Sequence, residues 1–147
     1  MRLGLNLGYW GAGIGADNIA LATEADRLGY DSVWVAEAYG VDAVSIMGYL
    51  AAVTERVEIA SGILPLYTRT PTLLAMTAAG VDALSGGRCV LGLGASGPQV
   101  IEGFHGVPYD KPLTRTREII EICRQVWKRE RVQYEGKAYT VPLPEGQ

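Results

Sequence analysis

Three glycines in the segment 88–97 have the spacing G-x-G-x-x-G, which in dinucleotide-binding proteins lets a pyrophosphate approach the backbone. They are Gly92, Gly94 and Gly97. The dinucleotide-binding fingerprint follows the first strand of its sheet and is completed by an acidic residue about 20 residues further on. Here the glycines follow the fourth predicted strand, and Pro98 comes directly after the third glycine. These glycines therefore need an explanation other than a pyrophosphate site.

Few other residues have side chains suited to chemistry. Glu37 ends an apolar segment, where an unpaired carboxylate would be costly to bury, so we expect it in a site. Tyr9 and Trp10 follow the first predicted strand and Tyr67 follows the third. These aromatic residues could line a ligand pocket, or Trp10 and Tyr67 could instead belong to the core or to a dimer interface. The single histidine, His105, lies in a glycine-flanked loop, which we expect it to order by a hydrogen bond.

The composition is that of an ordinary soluble domain, with 147 residues, 48% of them apolar and 20% charged. A net charge of −3 and the absence of a long basic run argue against nucleic acid as a partner. Asn6 and repeated glycines interrupt the apolar N-terminus, and no segment approaches the roughly 20 apolar residues that span a bilayer. Cys89 and Cys123 lack metal-ligand spacing. We expect a cytoplasmic protein with buried thiols, no metal and no membrane partner.

Short apolar runs alternate along the chain with longer amphipathic stretches, which predicts strands alternating with helices. The predicted strands cover 2–8, 31–38, 56–64 and 88–94, and the predicted helices cover 15–29, 41–54, 69–87 and 114–128. Asp17, Asp42 and Thr70 are typical N-cap residues for the first three helices. Gly29 and Gly86 are typical of the position after a helix.

The fourth predicted helix has the most regular amphipathic pattern. Its apolar face is Ile119, Ile120, Ile122, Cys123, Val126 and Trp127. Its predicted solvent face is Arg117, Glu118, Glu121, Arg124 and Lys128. Residues 132–141 then alternate on either side of Glu135-Gly136, which predicts a β-hairpin.

Four consecutive βα units with apolar strands predict a parallel sheet covered by helices. Two folds fit this pattern: an open doubly wound sheet, and part of a (β/α)₈ barrel, which as a whole needs ~250 residues. Three of the four strands end in glycine-containing segments, at 8–15, 61–65 and 92–97. In parallel α/β folds this rim binds ligands, which favours a flat ligand site over flexible loops.

Three segments carry a resemblance to a known family: GILPLYTRTP (62–71), the stretch 82–110 and TRTREIIEICRQVW (114–127). They resemble the bacterial luciferase-like superfamily, and within it the branch that uses the deazaflavin coenzyme F420, such as methylenetetrahydromethanopterin reductase. Members are complete (β/α)₈ barrels, so the resemblance covers an N-terminal half. It implies an α/β fold in which 1–147 is a single (βα)₄ half-barrel, with a hairpin inserted at 132–141.

The resemblance also implies roles for particular residues. The family commonly has a nonprolyl cis peptide or a bulge after the third strand, backing the deazaflavin ring, and this position corresponds to Gly62 and Ile63. An acidic residue after the second strand often contacts the ring or the substrate, and Glu37 corresponds to it as the catalytic candidate. The segment that lies along the cofactor corresponds to Ala95, Ser96 and Gly97.

The function implied is that of an F420-dependent oxidoreductase, which transfers hydride between the deazaflavin and a small organic substrate. Ala38 stands where the sugar-phosphate dehydrogenases of this branch have a histidine, which argues against a sugar phosphate. An FMN-dependent monooxygenase and a non-catalytic truncated homologue are the alternatives. Because the sequence stops before a fifth strand, we expect a piece of a longer barrel rather than two copies that complete one another. We also expect a homodimer.

Overall fold

The computed structural model describes residues 1–9 and 16–144. Long helices separate most of the strands along these residues, as the sequence predicts. In chain order they are β1 (Gly4–Asn6), α1 (Ala16–Leu28), β2 (Ser32–Val35), α2 (Ala43–Val53), β3 (Glu58–Ser61), β4 (Leu64–Pro65), α3 (Pro71–Ser85), β5 (Cys89–Val90), β6 (Leu93–Gly94), α4 (Pro98–Ile101), α5 (Pro112–Trp127), β7 (Tyr134–Glu135) and β8 (Thr140–Val141).

The chain divides into two compact units, the first comprising Met1–Leu64 with Ala78–Leu93 and the second Pro65–Thr77 with Gly94–Gln147. In the first unit, four strands form a parallel sheet in the order β1-β2-β3-β5. The predicted parallel α/β arrangement is therefore confirmed.

The register of this sheet places apolar residues opposite one another on one face. Leu5 pairs with Val33, Val33 with Ile59, and Ile59 with Cys89. Val33 and Ile59 are fully buried, whereas Trp34, on the opposite face of β2, is 36% exposed. The alternation in β2 therefore separates a buried face of the sheet from an accessible one.

The loop that enters β3 is fixed by a carboxylate and a guanidinium. Asp26 accepts hydrogen bonds from the backbone N–H groups of residues 55, 56 and 57. Burial alone would raise the pKa of Asp26, but these three donors stabilise the carboxylate and lower it. The Arg88 guanidinium donates to the backbone oxygens of Ala51 and Thr54, near the carboxyl end of α2. These contacts lie at the opposite end of the strands from the candidate site.

Helix ends largely follow the predicted caps. Asp42 Oδ2 accepts a hydrogen bond of 2.9 Å from Ser45 N at the start of α2. Gly29 and Gly86 have φ angles of +80° and +70°, which suit glycine after a helix. Asp17 differs from the prediction, because α1 begins at Ala16 and Asp17 lies within its first turn.

The third and fourth predicted strands are each interrupted. β3 stops at Ser61, and β5 stops at Val90. The Ser61 hydroxyl donates to Gly92 O and accepts from Gly92 N, at 2.9 Å in both cases. The Ser61 side chain thus bonds the Gly92 backbone groups that a neighbouring strand would otherwise bond, which explains why the ladder between β3 and β5 stops here. The shorter strands β4 and β6 then form a separate two-stranded ladder.

In the second unit, α5 buries Ile119, Ile122 and Cys123 as predicted. Trp127 is 45% exposed, although its Nε1–H donates to Ala75 O at 3.0 Å. The prediction that Glu118 faces solvent was wrong, because this carboxylate is buried. It accepts hydrogen bonds from three consecutive backbone N–H groups, those of residues 137, 138 and 139.

These three donors belong to the loop of the predicted hairpin. β7 and β8 pair antiparallel, with Glu135 opposite Thr140. The loop therefore covers 136–139, and the predicted turn at Glu135-Gly136 was placed too early. Glu118 stabilises this wider loop by accepting hydrogen bonds from its backbone N–H groups. Among the residues that the structure describes, no helix is long and apolar enough to cross a membrane.

Candidate functional site

In the first unit, the predicted site residues follow the carboxyl ends of three neighbouring parallel strands. Tyr9 follows β1, Glu37 follows β2, and Gly62 and Ile63 follow β3. Because the strands are parallel and adjacent, their carboxyl ends lie along one edge of the sheet. Tyr9 and Gly62 are exposed, and Glu37 and Ile63 are half-buried. Trp10 lies outside the residues that the structure describes.

The expected cis peptide bond is present between Gly62 and Ile63. Gly62 N donates to Val35 O at 2.7 Å, which joins this segment to β2. A Cβ atom at position 62 would lie 3.3 Å from Cε3 of the Trp34 ring, closer than ordinary contact. Glycine at this position therefore keeps the exposed backbone against the indole.

Trp34 is a candidate site residue that the sequence analysis missed. Its indole N–H donates to Ser32 Oγ at 2.9 Å, which fixes the ring on the accessible face of β2. A Cβ atom at Gly4 would approach the same ring nitrogen to 3.0 Å. The indole thus lies between two side-chain-free backbone positions, Gly4 and Gly62. Its position could have been predicted from Val33 and Val35, because alternation in a strand places Trp34 on the face opposite these two valines.

Glu37 is held at the start of a helix. Its Oε2 accepts a hydrogen bond of 2.8 Å from Ala43 N, the first residue of α2. A carboxylate is stabilised at this end of a helix by the unpaired N–H groups and the helix dipole. Glu37 therefore has a structural partner as well as a position at the sheet edge.

The glycines of the G-x-G-x-x-G segment have different surroundings and do not share one role. A Cβ atom at Gly92 would lie 1.9 Å from the backbone oxygen of Ser61, so no side chain fits there. A Cβ atom at Gly97 would meet only the end of the flexible Gln99 side chain, at 2.7 Å. Close packing between two chain segments accounts for Gly92 without any ligand.

In the second unit, Ala95, Ser96 and Gly97 follow β6 and precede α4. Ser96 has a φ angle of +58°, and its backbone oxygen accepts a hydrogen bond of 3.3 Å from the Tyr109 hydroxyl. The side chain of Ser96 is exposed. The short helix α4 was not predicted, and its one sequence signal was Pro98 at the first helical position.

Tyr67 takes part in an aromatic and cationic cluster of the second unit. Its hydroxyl donates to Asp110 O at 2.8 Å, and its ring centroid lies 5.2 Å from that of Tyr109. The Arg115 guanidinium stands 5.2 Å above the Tyr67 ring. Burial, and then the neighbouring Tyr109, raise the pKa of the Tyr67 hydroxyl, which therefore stays protonated.

Neither cysteine is activated by its surroundings. Cys89 and Cys123 are free thiols, and burial raises the pKa of each to about 11. His105 is exposed, and its ring meets Phe104 edge-on at 5.0 Å. Over residues 1–9 and 16–144, no three histidine, cysteine or carboxylate side chains lie close enough together to hold a metal ion.

Comparison with known proteins defines the class to which this chain belongs. The family described as luciferase-like monooxygenase matches residues 8–147, and the chain is a member of that family. Over 144 residues it is 49% identical to a Mycobacterium tuberculosis protein whose name describes a candidate coenzyme F420-dependent oxidoreductase. That alignment covers 97% of this chain and 42% of the relative.

One further relative agrees with this assignment, and one solved structure shows the same fold. A 5,10-methylenetetrahydromethanopterin reductase of Archaeoglobus fulgidus is 34% identical over 116 residues, which cover 78% of this chain and 35% of the reductase. The structure of the coenzyme F420-dependent tetrahydromethanopterin reductase from Methanopyrus kandleri superposes with a TM-score of 0.83 at 24% identity. The superposition covers 95% of this chain and 44% of the M. kandleri reductase chain. The chain thus has the α/β fold of the luciferase-like barrels and spans less than half the length of these relatives.

Proposed function

We propose that this chain contributes the coenzyme-holding part of an F420-dependent oxidoreductase, which transfers hydride between the deazaflavin and a small organic substrate. The observation that carries the proposal is the 49% identity, along 97% of the chain, with a protein described as a candidate F420-dependent oxidoreductase. We also propose that residues 1–147 act as one (βα)₄ half-barrel domain, with the hairpin 132–141 inserted after the fourth long helix.

The exposed sheet edge of the first unit is suited to a planar ring. Gly62 is exposed and carries no side chain, and the indole of Trp34 lies directly beside it. We propose that Gly62 and Ile63 back the deazaflavin ring and that Tyr9 and Trp10 wall its pocket. Glu37, held by its bond to Ala43 N, is proposed to contact the ring or the substrate.

The other predicted residues keep the roles that the family resemblance implies. Ala95, Ser96 and Gly97 are proposed to lie along the coenzyme, and Tyr67 to wall its pocket. When bound, the deazaflavin would supply the hydride chemistry itself. The chain's residues then need to orient one face of the ring and exclude water, which apolar and aromatic groups can do.

The family description, luciferase-like monooxygenase, favours an FMN-dependent monooxygenase as the second candidate function. Parallel titrations of the protein with F420 and with FMN, followed by cofactor fluorescence, separate the two. We expect weak binding by these 147 residues, with a lower Kd for F420 than for FMN. Tighter binding of FMN would favour the monooxygenase, and binding of neither would favour a non-catalytic homologue.

We further propose that the protein is a homodimer and acts in the cytoplasm, where its free thiols would stay reduced. Leu73, Met76 and Leu84 of α3 are exposed, and α3 carries a single charged residue, Asp82. An apolar helix surface of this kind is typical of a protein interface. In analytical ultracentrifugation, Leu84→Glu should shift a dimer to monomer, whereas Leu28→Glu on the exposed face of α1 should not. A monomeric wild-type protein would contradict the dimer.

A further inference from the structure

In the second unit, Tyr109 lies in the loop between α4 and α5 and contacts two of the residues proposed to contact the coenzyme. Its hydroxyl donates to Ser96 O at 3.3 Å, and its ring centroid lies 5.2 Å from that of Tyr67. Ser96 belongs to the segment proposed to lie along the coenzyme, and Tyr67 is proposed to wall its pocket. One side chain therefore joins the two groups of proposed contacts in this unit.

The backbone of Ser96 has a conformation that needs a stabilising contact. Its φ angle of +58° lies in the left-handed region, which residues other than glycine, asparagine and aspartate seldom adopt. The next residue, Gly97, has extended backbone, and its oxygen accepts from the N–H groups of Val100 and Ile101 at 3.0 Å each. The hydrogen bond from Tyr109 thus stabilises Ser96 where the chain turns into α4.

Tyr109 is itself fixed by contacts of its own backbone and of the residue that follows it. The Tyr109 N–H group donates to Glu102 Oε1 at 3.0 Å. Asp110 O accepts from the Tyr67 hydroxyl at 2.8 Å and from Arg115 Nε at 3.1 Å. The Arg115 guanidinium also forms an ion pair with the Asp110 carboxylate, at 2.6 Å. These bonds restrict the loop backbone, so the Tyr109 phenol has a defined position.

We propose that Tyr109 is a positioning residue for coenzyme binding. Its hydroxyl keeps the Ser96 backbone in the left-handed conformation, and its ring packs against the ring of Tyr67. This role rests on the proposed function, because the ligand is the deazaflavin proposed there. Tyr109 acts through Ser96 and Tyr67 and needs no contact with the coenzyme itself.

F420 titrations of the wild type, Tyr109→Phe and Tyr49→Phe, followed by coenzyme fluorescence, test this role. Phenylalanine keeps the ring beside Tyr67 and removes only the hydroxyl, so we expect the Kd to rise about fivefold, ~1 kcal/mol. Tyr49→Phe is the matched control, because Tyr49 is exposed on α2, and it should bind F420 as the wild type does. Urea denaturation verifies that each variant is folded.

A double-mutant cycle separates a positioning role from a merely structural one. Glycine adopts the left-handed conformation without help from the hydroxyl, so in a Ser96→Gly background Tyr109→Phe should change the Kd by less than about twofold. An equal loss of affinity in both backgrounds would overturn the role of Tyr109. Equal F420 affinity of the wild type and Tyr109→Phe would overturn it as well.

Hydrogen exchange without F420 gives a readout that does not depend on the coenzyme. The amides of Val100 and Ile101 should exchange faster in Tyr109→Phe than in the wild type, because the segment that bonds them loses its stabilising contact. Unchanged exchange at these amides would overturn the role of Tyr109. Failure of the wild type to bind F420 would instead contradict the proposed function, and the exchange rates would then decide the role of Tyr109 by themselves.

Discussion

Replacing Glu118 by glutamine tests how the second unit holds its hairpin. Oε1 of Glu118 accepts from Lys137 N at 2.7 Å, and Oε2 accepts from Ala138 N and Tyr139 N at 3.0 Å each. Glutamine keeps one acceptor oxygen and places an NH₂ group against the remaining N–H donors. At least one charge-assisted bond is lost, and the others become neutral and weaker.

The expected cost follows from those bonds. A hydrogen bond to a charged group contributes about 1.5–3 kcal/mol, so we expect the free energy of unfolding to fall by about 2–4 kcal/mol at neutral pH. Urea denaturation followed by tryptophan fluorescence measures this loss. Glu135→Gln, at an exposed position on the same hairpin, should change stability by less than about 0.5 kcal/mol. A Glu118→Gln protein as stable as the control would refute the role given to this carboxylate.

The same carboxylate predicts a pH dependence. Burial alone would raise the pKa of Glu118, but the three backbone donors outweigh it and lower the pKa below the ordinary 4.5. A group whose pKa is lower in the folded state stabilises the protein above its unfolded pKa, and the contribution is lost as pH falls through the folded value. The stability difference between wild type and Glu118→Gln should therefore be constant above pH 4.5 and shrink below it. A difference that grows on acidification would contradict this assignment.

Three further substitutions test the packing by denaturant unfolding. Gly92→Ala should destabilise the protein by about 3 kcal/mol or more, because the new Cβ would lie 1.9 Å from Ser61 O. A folded variant of unchanged stability would contradict the close packing of these two segments. Gly48→Ala should stabilise the protein by about 0.5–1 kcal/mol, because alanine restricts the unfolded backbone and its Cβ would meet nothing within 4 Å in α2. A loss of stability would indicate an unseen contact at this position. Arg88→Lys should cost about 2–3 kcal/mol, because lysine cannot reach the several backbone oxygens that the guanidinium bonds, and a neutral result would show those bonds to be dispensable.

Local patterns predicted the parallel sheet and most helix ends. Valines at 33 and 35 and isoleucine at 59 mark the buried face, because apolar alternation in a strand maps directly onto burial. Asp42 and Gly29 act where predicted, since caps depend on residues within one or two turns.

Contacts between residues distant in sequence decided the rest. Glu118 carries the same charge as the exposed Glu121, and only the loop N–H groups at 137–139 distinguish the two. Ser61 ends its strand through Gly92, 31 residues away. Trp34 was placed in the predicted strand 31–38 but not in the site, because its contacts with Gly4 and Gly62 join segments that are distant in sequence.

Equilibrium binding of F420 to the wild type, Gly62→Ala and Gly48→Ala tests the central claim most directly. A Cβ atom at position 62 would press against the Trp34 ring at 3.3 Å and disturb the proposed ring-backing surface. We predict that Gly62→Ala weakens F420 binding by about tenfold or more, ~1.4 kcal/mol, while Gly48→Ala binds as the wild type does. Equal affinity of all three folded proteins, or no binding by the wild type, would contradict a deazaflavin site at this sheet edge.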